Sequence, residues 1–355
     1  EQQSDDLEEQ NQTPKTKFAH LDQQVPFIHR FEFSIVEFLE EATQAPSLGF
    51  WDSMMVVSDI CCESWARVEF AEYRRSKSPI QLDSLSDYRP ELKLVEEFRN
   101  YIDSSFIDRV KKTYYEMHEK QTVKFVLKMK EKWCNFDHAE MTILEALDSV
   151  NKLIDESDPD LDLPNIYHAY QTAEKIREKY PNEDWMILVG LIHDLGKVMA
   201  LYNEEQWAVV GDTFPVGCAF SDDIVFGVQS FQKNPDFSNA NYNTKLGIYS
   251  ENIGLDQIIM SWGHDEYLYR VLKHNDCKIP EIGLKIIRYH SFYPWHQSNS
   301  YEHLCNNEDF EVKSWVKKFN GFDLYTKSEN IPDIKSLNSY YENLIEKYIP
   351  GTLNW

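Results

Sequence analysis

The sequence is short of basic residues and has no apolar run of membrane-spanning length. It contains 36 Lys and Arg against 60 Asp and Glu, which gives a formal net charge of −24. An acidic surface of this kind repels nucleic-acid phosphates and anionic lipids. The apolar run at residues 186–192 is far shorter than the roughly 20 residues that a helix needs to cross a bilayer. We therefore expect neither a nucleic-acid partner nor a membrane anchor.

The N-terminal stretch and the cysteines indicate a compartment. Residues 1–17 are polar and acidic, and they lack the basic and apolar regions of a secretion signal. The six cysteines never occur with CxxC spacing, which favours reduced thiols. The sequence thus predicts a cytoplasmic protein.

Composition divides the chain into three parts. Residues 1–25 are rich in Gln, Asp and Glu and predict a disordered acidic tail. Residues 26–85 form an N-terminal extension that is apolar enough to pack as helices, and its residues indicate no role. A polar stretch with two prolines at residues 76–95 places a domain boundary near residue 85. Residues 86–355 then form the main domain.

Helical periodicity dominates after this boundary. Apolar residues between 104 and 132 recur at three- and four-residue steps, and Thr142 with Glu145 predicts a capping box ahead of a further helix. Asn182 is a candidate N-cap for a helix over 183–200. We expect other helices over residues 166–179, 255–274, 280–291, 309–319 and 333–348. Residues 203–252 are rich in Gly, Asn, Asp and Pro and predict a long loop with a small hairpin. The expected fold class is all-α.

Four histidines lie in apolar or aromatic helical surroundings, and one is followed by an aspartate in the stretch LIHDLGK. They are His168, His193 (followed by Asp194), His264 and His290. Each alone is typical of a core histidine bonded to a backbone carbonyl, but the four together favour a metal site. Imidazole and carboxylate donors without thiolate suit iron, manganese or zinc. Adjacent His193 and Asp194 would let one helix place a nitrogen on one ion while the carboxylate bridges to a second.

The order of these residues carries a resemblance. His168, His193-Asp194 and a distant aspartate resemble the signature of the HD-domain superfamily, a helical fold whose members are mostly phosphohydrolases. The surrounding stretches, in chain order, are DESDPDLDLPN, HAYQTAE, LVGLIHDLGKVMALY, EEQWAVVGDTFPVGC, MSWGHDEYLYRVLK, IRYHSFYPWH and FNGFDLYTKS. Together they resemble the myo-inositol oxygenase family from about Tyr88 to Trp355, which makes residues 86–355 the expected catalytic domain.

The resemblance implies a site residue by residue. One iron would be bound by His168, His193, Asp194 and Asp323, and the other by Asp194, His264 and His290. The implied substrate contacts are Arg99, Asp155, Glu156, Ser157, Lys197, Gly211, Asp212, His290 and Ser291. Lys197 and Asp194 would be catalytic, because a positive charge beside the metal favours the alkoxide form of a bound hydroxyl.

The resemblance also implies the reaction. Myo-inositol and O2 would react at a mixed-valence Fe(II)/Fe(III) pair, and cleavage of the C1–C6 bond would give D-glucuronate and water. Family members are expected to be monomers.

Two other functions compete with this one. A metal-dependent HD-type phosphohydrolase would need basic residues to hold phosphate, and HDLGK offers only one nearby. His264 and His290 also exceed what a one-metal phosphohydrolase needs. A non-catalytic interaction protein that docks through residues 26–75 would predict missing metal ligands, whereas all six proposed ligands are present.

Overall fold

The computed structural model describes residues 99, 101–102, 104–151, 153–160, 164–325 and 332–355. The predicted acidic tail, the N-terminal extension and the boundary near residue 85 lie outside these residues and stay predictions. The helices and strands are α1 (Ile107–Lys120), α2 (Val123–Trp133), β1 (Glu140–Met141), α3 (Ile143–Val150), α4 (Asn165–Lys179), α5 (Asp184–Ile192), α6 (His264–His274), α7 (Glu281–Tyr289), α8 (Tyr293–His296), α9 (Asn307–Tyr325), α10 (Ile334–Tyr348) and β2 (Leu353–Asn354). The predicted all-α class is confirmed.

The periodic stretch after residue 104 forms two helices, because the chain breaks between α1 and α2. The Thr122 side chain accepts a hydrogen bond from the backbone N–H of Phe125 and so caps the N-terminus of α2. The buried Gln121 side chain leaves the helix and bonds to the backbone of Trp262, with Nε2 donating to its carbonyl at 2.7 Å and Oε1 accepting from its N–H at 2.9 Å. This break fixes the chain segment that leads into α6.

The predicted capping box is confirmed at the start of α3. Thr142 accepts a hydrogen bond from the backbone N–H of Glu145, and the Glu145 carboxylate accepts one from the N–H of Thr142. Just before it, β1 pairs antiparallel with β2 near the C-terminus. Trp355 is fully buried beside this pair, and its indole N–H donates to the carbonyl of Met141.

The hairpin predicted within residues 203–252 is wrong. The structure describes this whole segment, and it folds into turns and short 3-10 segments without a strand. Its polar side chains bond to backbone groups instead of leaving them for strand pairing. For example, the Asn234 side-chain oxygen accepts from the N–H of Asp236, and the Asp222 carboxylate accepts from the N–H of Val228.

The central helix α5 is apolar on every side, and all its residues from Trp185 to Ile192 are buried. Its N-cap is Glu183, not the predicted Asn182, and no side chain caps it. The predicted helix over 183–200 is α-helical only to Ile192; a 3-10 segment, Leu195–Tyr202, follows after a turn at residues 193–194. The polar pair His193-Asp194 therefore stands at a helix end, where backbone groups are free to bind side chains.

The continuous stretch Asp184–Tyr202 is long and apolar enough to cross a membrane by length and composition alone. However, 83% of its most apolar 18-residue stretch is buried inside the protein. This burial is typical of a core helix.

The predicted helix over 255–274 is wrong in its first half. Residues 255–257 form a 3-10 turn, and α6 starts only at His264. The backbone between them pairs with distant groups, since the N–H of Ser261 bonds to the carbonyl of Phe214 and Gln121 binds Trp262. His264 is thereby placed at the first turn of a helix.

Helix packing brings the candidate site together. Helix α4 packs on α5, α7 packs on α6, and α9 packs on both α4 and α7. Gly190 allows the first contact, since a β-carbon there would lie 3.1 Å from Cα of Ala173. These five helices place their site residues around one cavity.

Candidate active site

Two aspartates and two histidines converge at the ends of α4, α5 and α9. Nε2 of His168 lies 2.8 Å from Oδ1 of Asp323, and Nε2 of His193 lies 3.3 Å from the same oxygen. Nε2 of His193 is also 3.6 Å from Oδ2 of Asp194. These side chains are buried or nearly so, which means that their charges interact with little screening by water.

A second pair of histidines faces the other oxygen of Asp194. Nε2 of His264 lies 3.3 Å from Asp194 Oδ1, and Nε2 of His290 lies 3.7 Å from it. The two Nε2 atoms are 3.3 Å apart. Asp194 thus stands between two groups of imidazoles, with one carboxylate oxygen facing each group.

The second ring nitrogen fixes the tautomer of three of these histidines. The Nδ1 atoms of His193, His264 and His290 lie 2.8 to 2.9 Å from the backbone carbonyls of Gly190, Val209 and Ile287. A carbonyl only accepts, so Nδ1 carries the proton, and in the neutral ring Nε2 presents a lone pair to the centre of the cluster. This is the arrangement by which metal-binding histidines are usually oriented.

The donor atoms fit metal ions. Ligands that bind one ion at right angles with bonds of about 2.1 Å lie about 3 Å apart, which resembles the spacing of these atoms. A cation would also remove the repulsion between the two inward lone pairs of His264 and His290. Three overlapping groups could hold an ion among the residues that the structure describes: His168 with His193 and Asp323, His193 with Asp194 and His290, and His264 with Asp265 and His290.

Neighbouring charges control ionisation at the cluster. Burial opposes ionisation of Asp194, but Lys197 and His193 hold the pKa of this carboxyl well below its usual range. Asp323 behaves in the same way, since burial is outweighed by His193 and His168, which lower its pKa. Both aspartates are therefore carboxylates at neutral pH, as metal binding requires.

Lys197 connects the cluster to the rest of the cavity. Its Nζ lies 2.8 Å from Oδ2 of Asp194, 2.8 Å from Oδ2 of Asp155 and 3.1 Å from Oδ1 of Asn165. Burial alone would lower the pKa of Lys197, but the two carboxylates raise it above its usual value. The side chain is thus a fixed positive charge beside Asp194.

The end of the cavity lined by Arg99 and Asp212 contains a second ion pair. The Arg99 guanidinium donates to both carboxylate oxygens of Asp212, at 3.1 and 2.6 Å, and lies 3.5 Å above the centre of the Tyr293 ring. Tyr114 donates to Asp212 at 3.0 Å. Gly211 precedes Asp212 with a φ of +88°, a conformation that favours glycine. These contacts give this end of the cavity a rigid, polar wall.

The structure places most of the predicted residues in one cavity. Its lining includes Arg99, Asp155, Ser157, His168, Asp194, Lys197, Gly211, Asp212, His264, His290, Ser291 and Asp323. His193 does not line the cavity, but its Nε2 contacts the lining residues Asp194 and Asp323. Glu156 does not line the cavity; its carboxylate lies 3.5 Å from the Thr113 hydroxyl, and its assignment as a substrate contact stays a prediction.

Sequence reasoning missed four kinds of residue in this site. Asp265, fully buried beside His264, forms a second His-Asp pair that the sequence displays at 264–265. Asn165 binds Lys197 from the first turn of α4 and had no signal beyond its place before His168. The cavity is also lined by tyrosines, and no local pattern indicates them. His296, fully buried, donates from Nε2 to the carbonyl of His290 and so holds the end of α7.

Known proteins share this sequence over most of its length. Residues 107–355 match the family model described as myo-inositol oxygenase. Inositol oxygenase of Danio rerio is 56% identical over 270 residues, which cover 76% of this chain and 97% of the relative. Inositol oxygenase of Homo sapiens is 50% identical over 273 residues (76% and 96%), and inositol oxygenase 1 of Arabidopsis thaliana is 52% identical over 262 residues (73% and 84%). The chain therefore belongs to the myo-inositol oxygenase family.

Proposed function

We propose that this protein is an inositol oxygenase, which uses O2 to cleave the C1–C6 bond of myo-inositol and yields D-glucuronate and water. The carrying observation is that four histidines and two aspartates converge at one end of a polar cavity. The names and the 50–56% identity of the animal relatives support the same activity. The reaction is a four-electron oxidation, in which one oxygen atom of O2 enters the product and the other leaves as water.

We further propose that the cofactor is a mixed-valence pair of iron ions. His168, His193, Asp194 and Asp323 would hold one ion, and Asp194, His264 and His290 would hold the other. The iron pair, when bound, supplies the redox chemistry that amino-acid side chains lack. Asp194 suits a shared ligand, because its two oxygens face different imidazole groups.

The remaining residues bind and orient the substrate in this proposal. An uncharged polyol offers only hydroxyl groups, so a selective site must pair them with acceptors and donors. Asp155 and Asp212 are acceptors, Ser157 and Ser291 offer hydroxyls, and Lys197 places its charge beside Asp194. That charge favours loss of the proton from a substrate hydroxyl held near Asp194.

The proposal includes a cytoplasmic monomer without nucleic-acid or membrane partners. The formal charge of −24 supports the absence of nucleic-acid and membrane partners, because it disfavours binding to phosphate-rich surfaces. The compartment rests on the N-terminal stretch and the cysteine spacing, and the monomer on the family resemblance.

The phosphohydrolase alternative is not favoured. Arg99 and Lys197 are the cations in the cavity lining that the structure describes, and both are paired with carboxylates. A phosphate would have to displace these carboxylates to reach a positive partner. An interaction protein would not need six assembled metal ligands.

The test is reconstitution of the full chain with Fe(II), followed by addition of O2 and myo-inositol. We expect oxygen uptake and glucuronate in equal amounts, with metal and turnover both lost in His193→Ala. His274→Ala is the matched control, because this exposed histidine ends α6 outside the cluster. Phosphate-ester hydrolysis without oxygen uptake, or a His193→Ala protein that retains all its iron, would reject the proposal.

A further inference from the structure

Asn165 accepts a hydrogen bond from the Lys197 ammonium, which also contacts Asp194. It lies in the first turn of α4 and is only 5% exposed. Its Oδ1 accepts a hydrogen bond from Lys197 Nζ at 3.1 Å, and its Nδ2 donates to the backbone carbonyl of Leu153 at 2.8 Å. Because the Leu153 contact needs a donor, it fixes the orientation of the amide with the oxygen toward lysine.

The Lys197 ammonium has as many N–H groups as it has nearby oxygens. A lysine ammonium carries three donors and no acceptor. Around Lys197 these donors face Asn165, Asp155 and Asp194, at 3.1, 2.8 and 2.8 Å. Asn165 is the neutral member of this set, so it directs the ammonium without adding a third negative charge.

Asn165 also supports the carboxylate that Lys197 binds. Leu153, whose carbonyl accepts from Asn165, lies two residues before Asp155. Asp155 in turn is bonded to the N–H of Ser157 at 2.8 Å. The contacts therefore close a ring from Lys197 through Asp155 and Leu153 to Asn165 and back to Lys197.

We propose that Asn165 is a positioning residue for substrate binding, which acts through Lys197 by fixing its ammonium between Asp155 and Asp194. Its effect is on the affinity for the polyol and not on the metals. This inference rests on the proposed function, because myo-inositol is the ligand that Lys197 would contact. His168, three residues along α4, brings the metal cluster to the same helix, so metal retention must be measured separately.

The test compares iron-loaded full-length variants by metal content, thermal stability and the Kd for myo-inositol measured without O2. We expect Asn165→Ala to keep its iron and to bind myo-inositol about tenfold more weakly, as the loss of a hydrogen bond to a charged group predicts. Asn165→Asp keeps the acceptor but adds a third negative charge and loses the donor to Leu153, and we expect a loss of affinity at least as large as that of Asn165→Ala. Asn275→Ala is the matched control, because this amide also donates to backbone carbonyls, those of Val271 and Asn354, and Asn275 does not line the cavity.

A double-mutant cycle decides whether Asn165 acts through Lys197. In a Lys197→Met background, where the ammonium is absent, Asn165→Ala should change the Kd less than twofold. The same tenfold loss in that background would overturn the proposal, and so would an Asn165→Ala protein that loses iron. If the native enzyme does not bind myo-inositol, the proposed function is wrong, and the role of Asn165 in positioning Lys197 has to be tested without the substrate. The inference can then be tested by a crystal structure of Asn165→Ala, and an ammonium that still contacts both aspartates as in the native protein would refute it.

Discussion

Gly196, two residues after Asp194, allows the backbone at the start of α6 to reach the metal cluster. A β-carbon at this position would lie 2.7 Å from the carbonyl carbon of His264 and 2.8 Å from its Cα, and even closer to its carbonyl oxygen. Ordinary carbon contacts are about 3.5 Å or longer, so Gly196→Ala must push the backbone of His264 away by at least about 0.8 Å. Both neighbours are backbone atoms, which no rotamer change can move aside.

A displacement of this size is too large for a metal ligand. Metal–ligand distances hold to about 0.2 Å, and functional constellations tolerate about 0.5 Å. We therefore expect Gly196→Ala to lose the ion proposed to bind His264 and His290, to keep the ion proposed at His168, His193 and Asp323, and to lose turnover. Overpacking should also reduce the free energy of unfolding by about 1–3 kcal/mol.

The assay is iron content per chain, together with thermal unfolding and oxygen uptake. Gly263→Ala is the matched control, because Gly263 adjoins the same histidine. A β-carbon there meets Val209 O at 3.5 Å and Thr213 Cγ2 at 3.8 Å, which are ordinary contacts, and its φ of −170° suits any residue. Gly263→Ala should keep full iron content. Retention of native iron and turnover by Gly196→Ala would refute the reasoning.

Three further predictions concern stability. His118 is fully buried, and burial lowers its pKa to about 3, so between pH 6.5 and 3 the unfolded chain binds a proton that the folded chain does not. The native protein should therefore lose about 1.4 kcal/mol of stability per pH unit as the pH falls through this range, and His118→Phe should remove this loss. Urea unfolding at pH 7 and pH 5 tests this, and the idea is wrong if the stability difference between the two pH values is the same in His118→Phe and in the native protein. Glu266→Ala should destabilise the fold by about 3–5 kcal/mol, because it breaks a buried ion pair. The Glu266 carboxylate binds Arg288 Nε at 2.7 Å, and the substitution leaves this buried guanidinium with the partly exposed Asp256 as its carboxylate partner. Near-native unfolding by urea would contradict the estimate. Trp355→Ala should reduce the free energy of unfolding by about 3 kcal/mol, because it removes a buried indole. A loss of this size should lower the melting temperature by more than about 2 °C, so a smaller shift would show that Trp355 contributes little to stability.

Local sequence determined the elements whose signals lie within a few residues of one another. The Thr142–Glu145 capping box and helices α4, α7 and α10 form close to the predicted bounds, because capping and apolar spacing act over one or two helical turns. The six metal-binding candidates were also identified from residue type and the resemblance, and the structure brings their donor atoms together. Burying several histidine and aspartate side chains together costs free energy unless they bind a partner such as a metal ion.

Tertiary structure decided the features that depend on contacts distant in the chain. The pairing of Gln121 with Trp262 joins residues 141 positions apart and ends the helix predicted before His264. The Arg99–Asp212 pair, 113 positions apart, forms part of the cavity lining. Neither pairing could be predicted from the nearby sequence, because a side chain that binds a group distant in the chain produces no periodic pattern of apolar residues around it.

The same distinction explains the glycine and the lysine that follow His193-Asp194. Sequence alone showed that both stand beside the pair, but not that Gly196 lies against the backbone of His264 or that Asn165 completes the partners of Lys197. Residue chemistry therefore determined which atoms can bind metal and polyol in this protein. The packing of α4, α5, α6, α7 and α9 decided their distances, because close packing, and not residue identity, sets separations to fractions of an ångström.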